Sequence, residues 1–280
     1  MLYILYACRN CQCLNKKKRG TMKFQDLEKV LETAKELAKG AGRIILEVYN
    51  RDFSVDYKDD RSPITEVDRK ANDYIVKNLK SKYPECAILA EESKDDPERL
   101  GNDWCFIIDP LDGTKEFVKK NGEFTVNIAL CFQGRPVLGV IGIPVTGELY
   151  YAVKGKGAYY EKDGHIEKIH VSSRTSDIRL MMSRSHKSDK LLELIERNGI
   201  KNVKSAGSAI KGCLIARGEA EVYYRFGHTM EWDTAAMHCI VEEAGGIFRQ
   251  MDDSEMTYNR VNNLNEKGFY ILNHPANKLT

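Results

Sequence analysis

The sequence predicts a mixed α/β (α+β) protein: two amphipathic helices, then a block of strands, then helices and strands in alternation. Three observations carry this. Apolar residues recur at helical spacing from Phe24 to Val48. β-branched and aromatic runs then succeed one another between Ala87 and Tyr160, separated by turn residues. Beyond Pro144 short helical and extended patterns alternate to the end of the chain.

Taken in order, the first helix places Phe24, Leu27, Val30, Leu31, Ala34, Leu37, Ala38, Ala41, Ile44, Ile45 and Val48 on one face. A polar loop, "DYKDDRSP", leads to a second helix through Val67, Ala71, Ile75 and Leu79, with Thr65 and Asp68 placed for a capping box. The strands expected next are "AILA", "WCFII", "FTVNIALCF", "PVLGVIGI", "ELYYAV" and "GAYY", the middle two joined by a hairpin-like "QGR". After them come helices over Lys190–Arg197, Ile210–Ala216 and Asp233–Glu243, a turn at "VKSAGSA", and strands at "EVYYRF" and "GFYILN". "GKG" at Gly155–Gly157 lacks the rest of a phosphate-loop fingerprint and reads as a turn. The change of texture divides the chain into halves over 22–145 and 146–280, with no internal repeat and no low-complexity segment.

The first twenty-one residues stand apart. "MLYILYA" is too short to cross a bilayer, and the basic run at Lys16–Arg19 follows the apolar run, the reverse of a signal peptide. A disordered extension over 1–21 is expected. Its Cys8, Cys11 and Cys13 have metal-like spacing but no fourth ligand close by. The other five cysteines lie singly in apolar or helical patterns and read as buried free thiols.

With 280 residues, 42% hydrophobic and 30% charged, the chain has the composition of a globular domain with a sizeable core. A net charge of +2 gives no reason to expect nucleic-acid binding, and no later stretch is long and apolar enough to span a membrane.

The chemistry is concentrated in acidic residues at strand ends. Glu91 follows "AILA", Asp109 and Asp112 follow "WCFII", and Asp233 opens a helix after "HTMEW". Carboxylates beside apolar strands need a cation, and hard divalent ions take oxygen ligands. Pro110 is expected to stop its strand and throw Asp112 outward, so that "DPLD" offers two side chains and a main-chain oxygen. Singly, each has a plainer reading: "DG" as a turn, Asp233 as a helix cap, Lys211 and Arg225 as solvated charges, His186 as a loop residue. Together with the upstream "EE" and the downstream "WDTAA", the string is far harder to assemble by chance. An aspartyl-phosphate mechanism of the haloacid dehalogenase type is excluded, because its nucleophile would stand two residues before Asp112, where Pro110 has no carboxylate.

These strings resemble the lithium-sensitive, magnesium-dependent phosphatase superfamily that includes inositol monophosphatase and fructose bisphosphatase. Within it, "SPITEVD", "DPLDGTKEF", "NGEFTVNIAL", "SRSH", "GSAIK", "YYRFG" and "EWDTAA" are most similar to the bacterial-type 3′(2′),5′-bisphosphate nucleotidases, from Met22 to the C-terminus. The resemblance implies a layered αβαβα sandwich, with a metal site in the first half and substrate contacts in the second. It implies metal ligands at Glu91, Asp109, the main-chain oxygen of Leu111, Asp112 and Asp233, holding two to three Mg²⁺ ions. It implies a water-activating pair, Asp68 and Thr114, and substrate contacts at Gly113, Thr114, His186, Ser208, Lys211 and Arg225.

Two positions depart from the pattern. Ala209 stands where a second serine is usual, and Ala90 where glycine or serine is common. The activity implied is hydrolysis of adenosine 3′,5′-bisphosphate to AMP and phosphate by metal-activated water, with no covalent intermediate. The alternatives are an inositol or sugar phosphate substrate, or a silent metal-binding regulator, against which the intact Asp68 and Thr114 weigh. A cytoplasmic monomer or homodimer acting on a small molecule, free or peripheral at the inner membrane, completes the expectation.

Overall fold

The computed structural model describes residues 27–51, 55–57, 63–186 and 188–280, by backbone alone at 55–57 and 63–65. The expected extension with its three cysteines, the helix residues before Leu27, loop residues 58–62 and the Thr65 cap lie outside the described residues.

Helix α1 (Leu27–Tyr49) buries Val30, Ala34, Leu37, Ala41 and Ile45, one stripe at i, i+3 and i+4. Two short strands follow, β1 (Val55–Tyr57) and β2 (Pro63–Thr65), paired antiparallel inside the stretch expected as a loop. Helix α2 (Glu66–Lys82) buries Val67, Ala71, Ile75 and Leu79 beside α1.

A seven-stranded sheet comes next, built in chain order: β3 (Ala87–Ala90), β4 (Trp104–Asp112), β5 (Thr125–Phe132), β6 (Arg135–Ile143), β7 (Glu148–Val153), β8 (Gly157–Lys162) and β9 (His165–Ile169). Only the β3–β4 pair is parallel. A single-turn helix, α3 (Thr114–Val118), separates β4 from β5.

The second sheet has the order β11-β10-β12-β14-β13. Its strands are β10 (Arg179–Ser183), β11 (Asn202–Ala206), β12 (Val222–Arg225), β13 (Ile247–Gln250) and β14 (Phe269–Leu272). Helices α4 (Asp189–Arg197), α5 (Ile210–Ala216) and α6 (Glu231–Glu243) connect them.

Strand alternation stacks these elements into five layers. Phe106 and Ile108 of β4, with Val126 and Ile128 of β5, join the core under α1 and α2. Cys105 and Ile107, with Ala129 and Cys131, join the core shared with α5, α6 and the inner face of the second sheet. Leu180, Val222 and Tyr270 on the outer face of that sheet pack with Leu191 of α4. The αβαβα order is therefore the observed one. Helix α6 lies so close to β6 that a Cβ at Gly139 would sit 2.4 Å from Ala236 O.

Two sequence expectations change. Strand β4 does not stop at Pro110 but continues to Asp112, because one extra residue bulges between Asp109 and Asp112 and absorbs the missing N–H. "VKSAGSA" contributes strand β11 before it turns, paired in parallel with β10. The chain changes sheet between Ile169 and Arg179, whereas position 145 falls in the turn joining two neighbouring strands of one sheet.

The five cysteines of the described residues are free thiols, four of them buried. "GKG" is a turn whose Gly155 and Gly157 N–H groups donate to the Glu243 carboxylate at 2.9 and 2.8 Å. Among the described residues no helix is long and apolar enough to cross a membrane.

Candidate active site

The β4 bulge decides where the acids go. Asp109 remains buried in the strand, its Oδ1 accepting the Leu111 N–H at 3.0 Å. Asp112, at the strand end, is held from β5: Asn127 Nδ2 donates to its Oδ2 at 3.3 Å, and the Thr125 hydroxyl lies 3.3 Å from the same oxygen. That hydroxyl is also 2.9 Å from Asn127 Oδ1, which orients the amide. Asp233 is the third residue of α6, and its Oδ2 caps the helix by accepting the Met230 N–H at 2.6 Å.

One carboxylate oxygen from each of Asp109, Asp112 and Asp233 lies within 4.8 Å of the others. Glu91, just past β3, lines the same cavity, and the fully buried Asp68 stands on the first turn of α2.

These acids cannot all carry charge unaided. Burial, followed by the charges of Glu91, Asp112, Asp233 and Asp68, holds Asp109 far above the usual carboxylate range. Burial raises Asp112 too, against the opposing pull of the Lys211 charge, the Asn127 hydrogen bond and the Ala209 N–H. Asp233 is raised by burial and then by Asp112 and Glu91. An all-oxygen donor set that repels itself in this way fits a hard divalent cation, and Asp109, Asp112 and Asp233 can hold one.

Above the acids opens a cavity of about 450 Å³. Gly113 turns the chain into it at φ +93°, where a Cβ would press on Glu123 O and on Ser208 Cβ, both at 3.3 Å. Thr114 then starts α3 on the cavity wall. The facing wall carries Ser208, Lys211, Arg225 and His186. Lys211 is buried: its ammonium donates to Ser208 O and, at 3.4 Å, to Ala206 O, and burial brings its pKa down to about 8 against the pull of Asp112.

Arg225 Nη2 donates to His228 O at 3.2 Å, while its Nε and the Ser208 Oγ are buried without a hydrogen-bond partner. Desolvation, then the charges of Arg225 and Lys115, push His186 down to about 4, so the ring is neutral at pH 7. A second cavity of about 490 Å³ shares His186 and Arg225 with the first and is also lined by Leu191, Tyr224 and Phe226.

The expected residues thus converge: Glu91, Asp112, Gly113, Thr114, His186, Ser208, Lys211, Arg225 and Asp233 line one cavity, with Asp109, Leu111 and Asp68 buried. Ala209 packs its methyl into the core and serves Asp112 through its backbone, which alanine supplies as well as serine. Sequence reasoning missed Thr125 and Asn127. Their i, i+2 spacing in "FTVNIAL" puts both on the strand face beside Asp112, a signal that was available.

A family model described as "Inositol monophosphatase family" matches residues 26–275. The chain is 43% identical over 249 residues to the 3′(2′),5′-bisphosphate nucleotidase CysQ of Buchnera aphidicola, covering 86% of this chain and 93% of that protein. It is 40% identical to the protein of the same name from Salmonella typhimurium, over 86% of this chain and 99% of the relative. Among solved structures it is similar to CysQ from Bacteroides thetaiotaomicron, described as a bacterial member of the inositol monophosphatase family. That match has a TM-score of 0.76 and 40% identity over 87% of this chain and 97% of the other. An IMPase of Thermotoga maritima also matches with a TM-score of 0.76, at 28% identity over 88% and 92% of the two chains.

Proposed function

The chain belongs to the inositol monophosphatase family, and on that premise we propose that it is a 3′(2′),5′-bisphosphate nucleotidase, removing the 3′-phosphate of adenosine 3′,5′-bisphosphate to leave AMP. One observation supports this most directly. The carboxylates and Lys211, Arg225 and His186 line a single cavity, and a second cavity that shares His186 and Arg225 is lined by Leu191, Tyr224 and Phe226. A substrate with one phosphate to cleave, a second to recognise and an aromatic base has a place for each part.

In this reading Glu91, Asp109, Asp112, Asp233 and the Leu111 carbonyl hold two to three Mg²⁺ ions. When bound, the metal neutralises phosphoryl charge and acidifies water. Thr114 orients a water in line with the scissile P–O bond, its hydroxyl relaying the water's proton toward Asp68, and the 3′-oxygen released as the P–O bond breaks takes a proton from solvent. The buried Lys211 opposes the burial that raises Asp112 and stands at the phosphate, while Arg225 grips the uncleaved phosphate through its fork. Gly113, Ser208 and His186 border the bound nucleotide. We place the enzyme in the cytoplasm, acting on a small molecule.

Phosphate release from adenosine 3′,5′-bisphosphate, inositol 1-phosphate and fructose 1,6-bisphosphate, with and without Mg²⁺, tests the proposal. Mg²⁺-dependent turnover with the nucleotide preferred is expected. Preference for the inositol or sugar phosphate overturns the substrate, and absence of turnover on all three overturns the activity.

A further inference from the structure

The loop between α3 and β5 is tied to the other half of the protein by a closed set of hydrogen bonds. Arg184, one residue past β10, donates to both Glu123 oxygens, Nε to Oε2 at 2.5 Å and Nη2 to Oε1 at 2.6 Å. The same guanidinium reaches Ser205 O near the end of β11 at 2.9 Å. Gly207 N donates to Glu123 Oε2 at 2.7 Å, and the Ser185 hydroxyl donates to the buried Glu116 carboxylate of α3. The approach is close enough that a Cβ at Gly207 would meet Glu123 O at 2.4 Å and Glu116 Cγ at 2.7 Å. Glu123, Arg184 and Gly207 come from "NGEFTVNIAL", "SRSH" and "GSAIK", strings of which the site description uses other residues.

A partly exposed ion pair contributes little stability, so its bidentate geometry matters for what it orients. His186 lies two residues beyond Arg184, and Ser208 directly follows Gly207. Across from them, Lys115 of α3 has its Nζ 3.1 Å from His186 Nε2, and among the described residues no carboxylate pairs with it. Lys115 and the partnerless Ser208 hydroxyl line the same cavity. A cation, a neutral imidazole and a free hydroxyl donor are what an anionic group needs, and the neighbouring Glu116 carboxylate is engaged by the Ser185 hydroxyl.

We propose that the Glu123–Arg184 pair is the positioning device of substrate recognition: it closes the α3–β5 loop onto β10 and the turn before α5, so that Lys115, His186 and Ser208 meet at the cleft mouth as one subsite for a second anionic group. The inference rests on the nucleotidase reading, since only a doubly anionic substrate has a group to place there. Glu123 and Arg184 act through the residues they hold, and Lys115 touches the ligand.

The test is kcat and KM for adenosine 3′,5′-bisphosphate and for adenosine 3′-monophosphate, which has the same scissile group and no second phosphate. Wild type, Arg184→Met, Glu123→Gln, Lys115→Met and the Arg184→Met/Lys115→Met double variant are compared. Arg184→Met is expected to raise KM for the bisphosphate about tenfold or more, with a far smaller change in kcat. The preference for the bisphosphate falls toward that of Lys115→Met, and the double variant loses little beyond the larger single loss, because both changes act on the same anion. Glu123→Gln, a milder change that tests the pair even where Arg184→Met folds poorly, moves the preference the same way by a smaller factor. Mn²⁺ titration followed by electron paramagnetic resonance is expected to match wild type in the clasp variants.

Equal losses on both substrates, losses that multiply in the double variant, or altered Mn²⁺ affinity each overturn the inference. A bisphosphate preference that survives both clasp variants overturns it alone. A wild type without that preference overturns the nucleotidase reading and this inference together.

Discussion

Asn127 on β5 donates its side-chain N–H to Asp112 Oδ2 across the strand pair at 3.3 Å. The pairing depends on the β4 bulge, which sets Asp112 opposite Thr125 while Asp109 stays opposite Asn127. The amide, with the Thr125 hydroxyl and the Ala209 N–H, fixes the orientation of this acid at the strand end. Loss of such an outer partner typically costs ten- to hundredfold in metal affinity. Asn127→Ala is therefore expected to raise the Mg²⁺ concentration for half-maximal activity about tenfold. Asp112→Asn is expected to abolish Mg²⁺-dependent hydrolysis while raising the melting temperature of the metal-free protein, because it relieves repulsion. Turnover near wild type in Asp112→Asn would remove the metal assignment.

The acid cluster also makes the response to Mg²⁺ depend on pH. A free aspartate titrates near pH 3.9, whereas Asp109, Asp112 and Asp233 are raised in the fold by burial and mutual charge, Asp233 to about 8. Between about pH 4 and 8 the metal-free folded state binds more protons than the unfolded chain. The cluster's penalty is therefore absent below about pH 4 and grows as pH rises through that window. A bound cation cancels it. The shift in melting temperature on adding Mg²⁺ is expected to be larger at pH 8 than at pH 5, and equal shifts would count against a shared cation site.

Arg225 offers a fork with one buried Nε still unpartnered. Removing it forfeits a charge-assisted hydrogen bond of about 1.5–3 kcal/mol to the uncleaved phosphate. Arg225→Ala should lower the ratio of kcat/KM for adenosine 3′,5′-bisphosphate over adenosine 3′-monophosphate by about ten- to hundredfold. Arg225→Lys recovers part of this, because a point charge lacks the planar fork. An unchanged ratio with both rates reduced would mean that Arg225 supports the fold.

Asp233 depends on a buried neighbour. Glu231 is fully buried and accepts the Asn259 N–H at 2.6 Å, the Arg260 N–H at 3.0 Å and Arg260 Nε at 3.0 Å. Arg260 in turn donates to the buried Asn265 at 2.6 Å, whose amide holds Met230 O at 2.8 Å. Arg260→Ala strands a carboxylate in the core and is expected to cost about 3 kcal/mol in urea unfolding. A loss below about 1 kcal/mol would show that the two backbone N–H groups suffice.

The sequence by itself determined the helices, most strands and the acidic set, because these rest on local information, while the five-layer order was implied by the resemblance of whole strings to a family. Period-3.6 stripes define α1 and α2, β-branched and aromatic runs define β4 to β8, and Glu91, Asp109, Asp112 and Asp233 stand out as acids beside apolar runs. Several features were settled only in three dimensions. Nothing local shows that β4 passes through Pro110, since the bulge that permits it depends on pairing with β5. The strand at Asn202–Ala206 looks like a turn until β10 supplies its parallel partner. The chain passes from the first sheet to the second between Ile169 and Arg179 because sheet membership follows long-range hydrogen bonds, which composition does not record. The same holds for the Glu123–Arg184 clasp, whose residues stand 61 positions apart in the chain. Local propensity sets which face a side chain takes, and only the packing of distant strands sets which charge it meets.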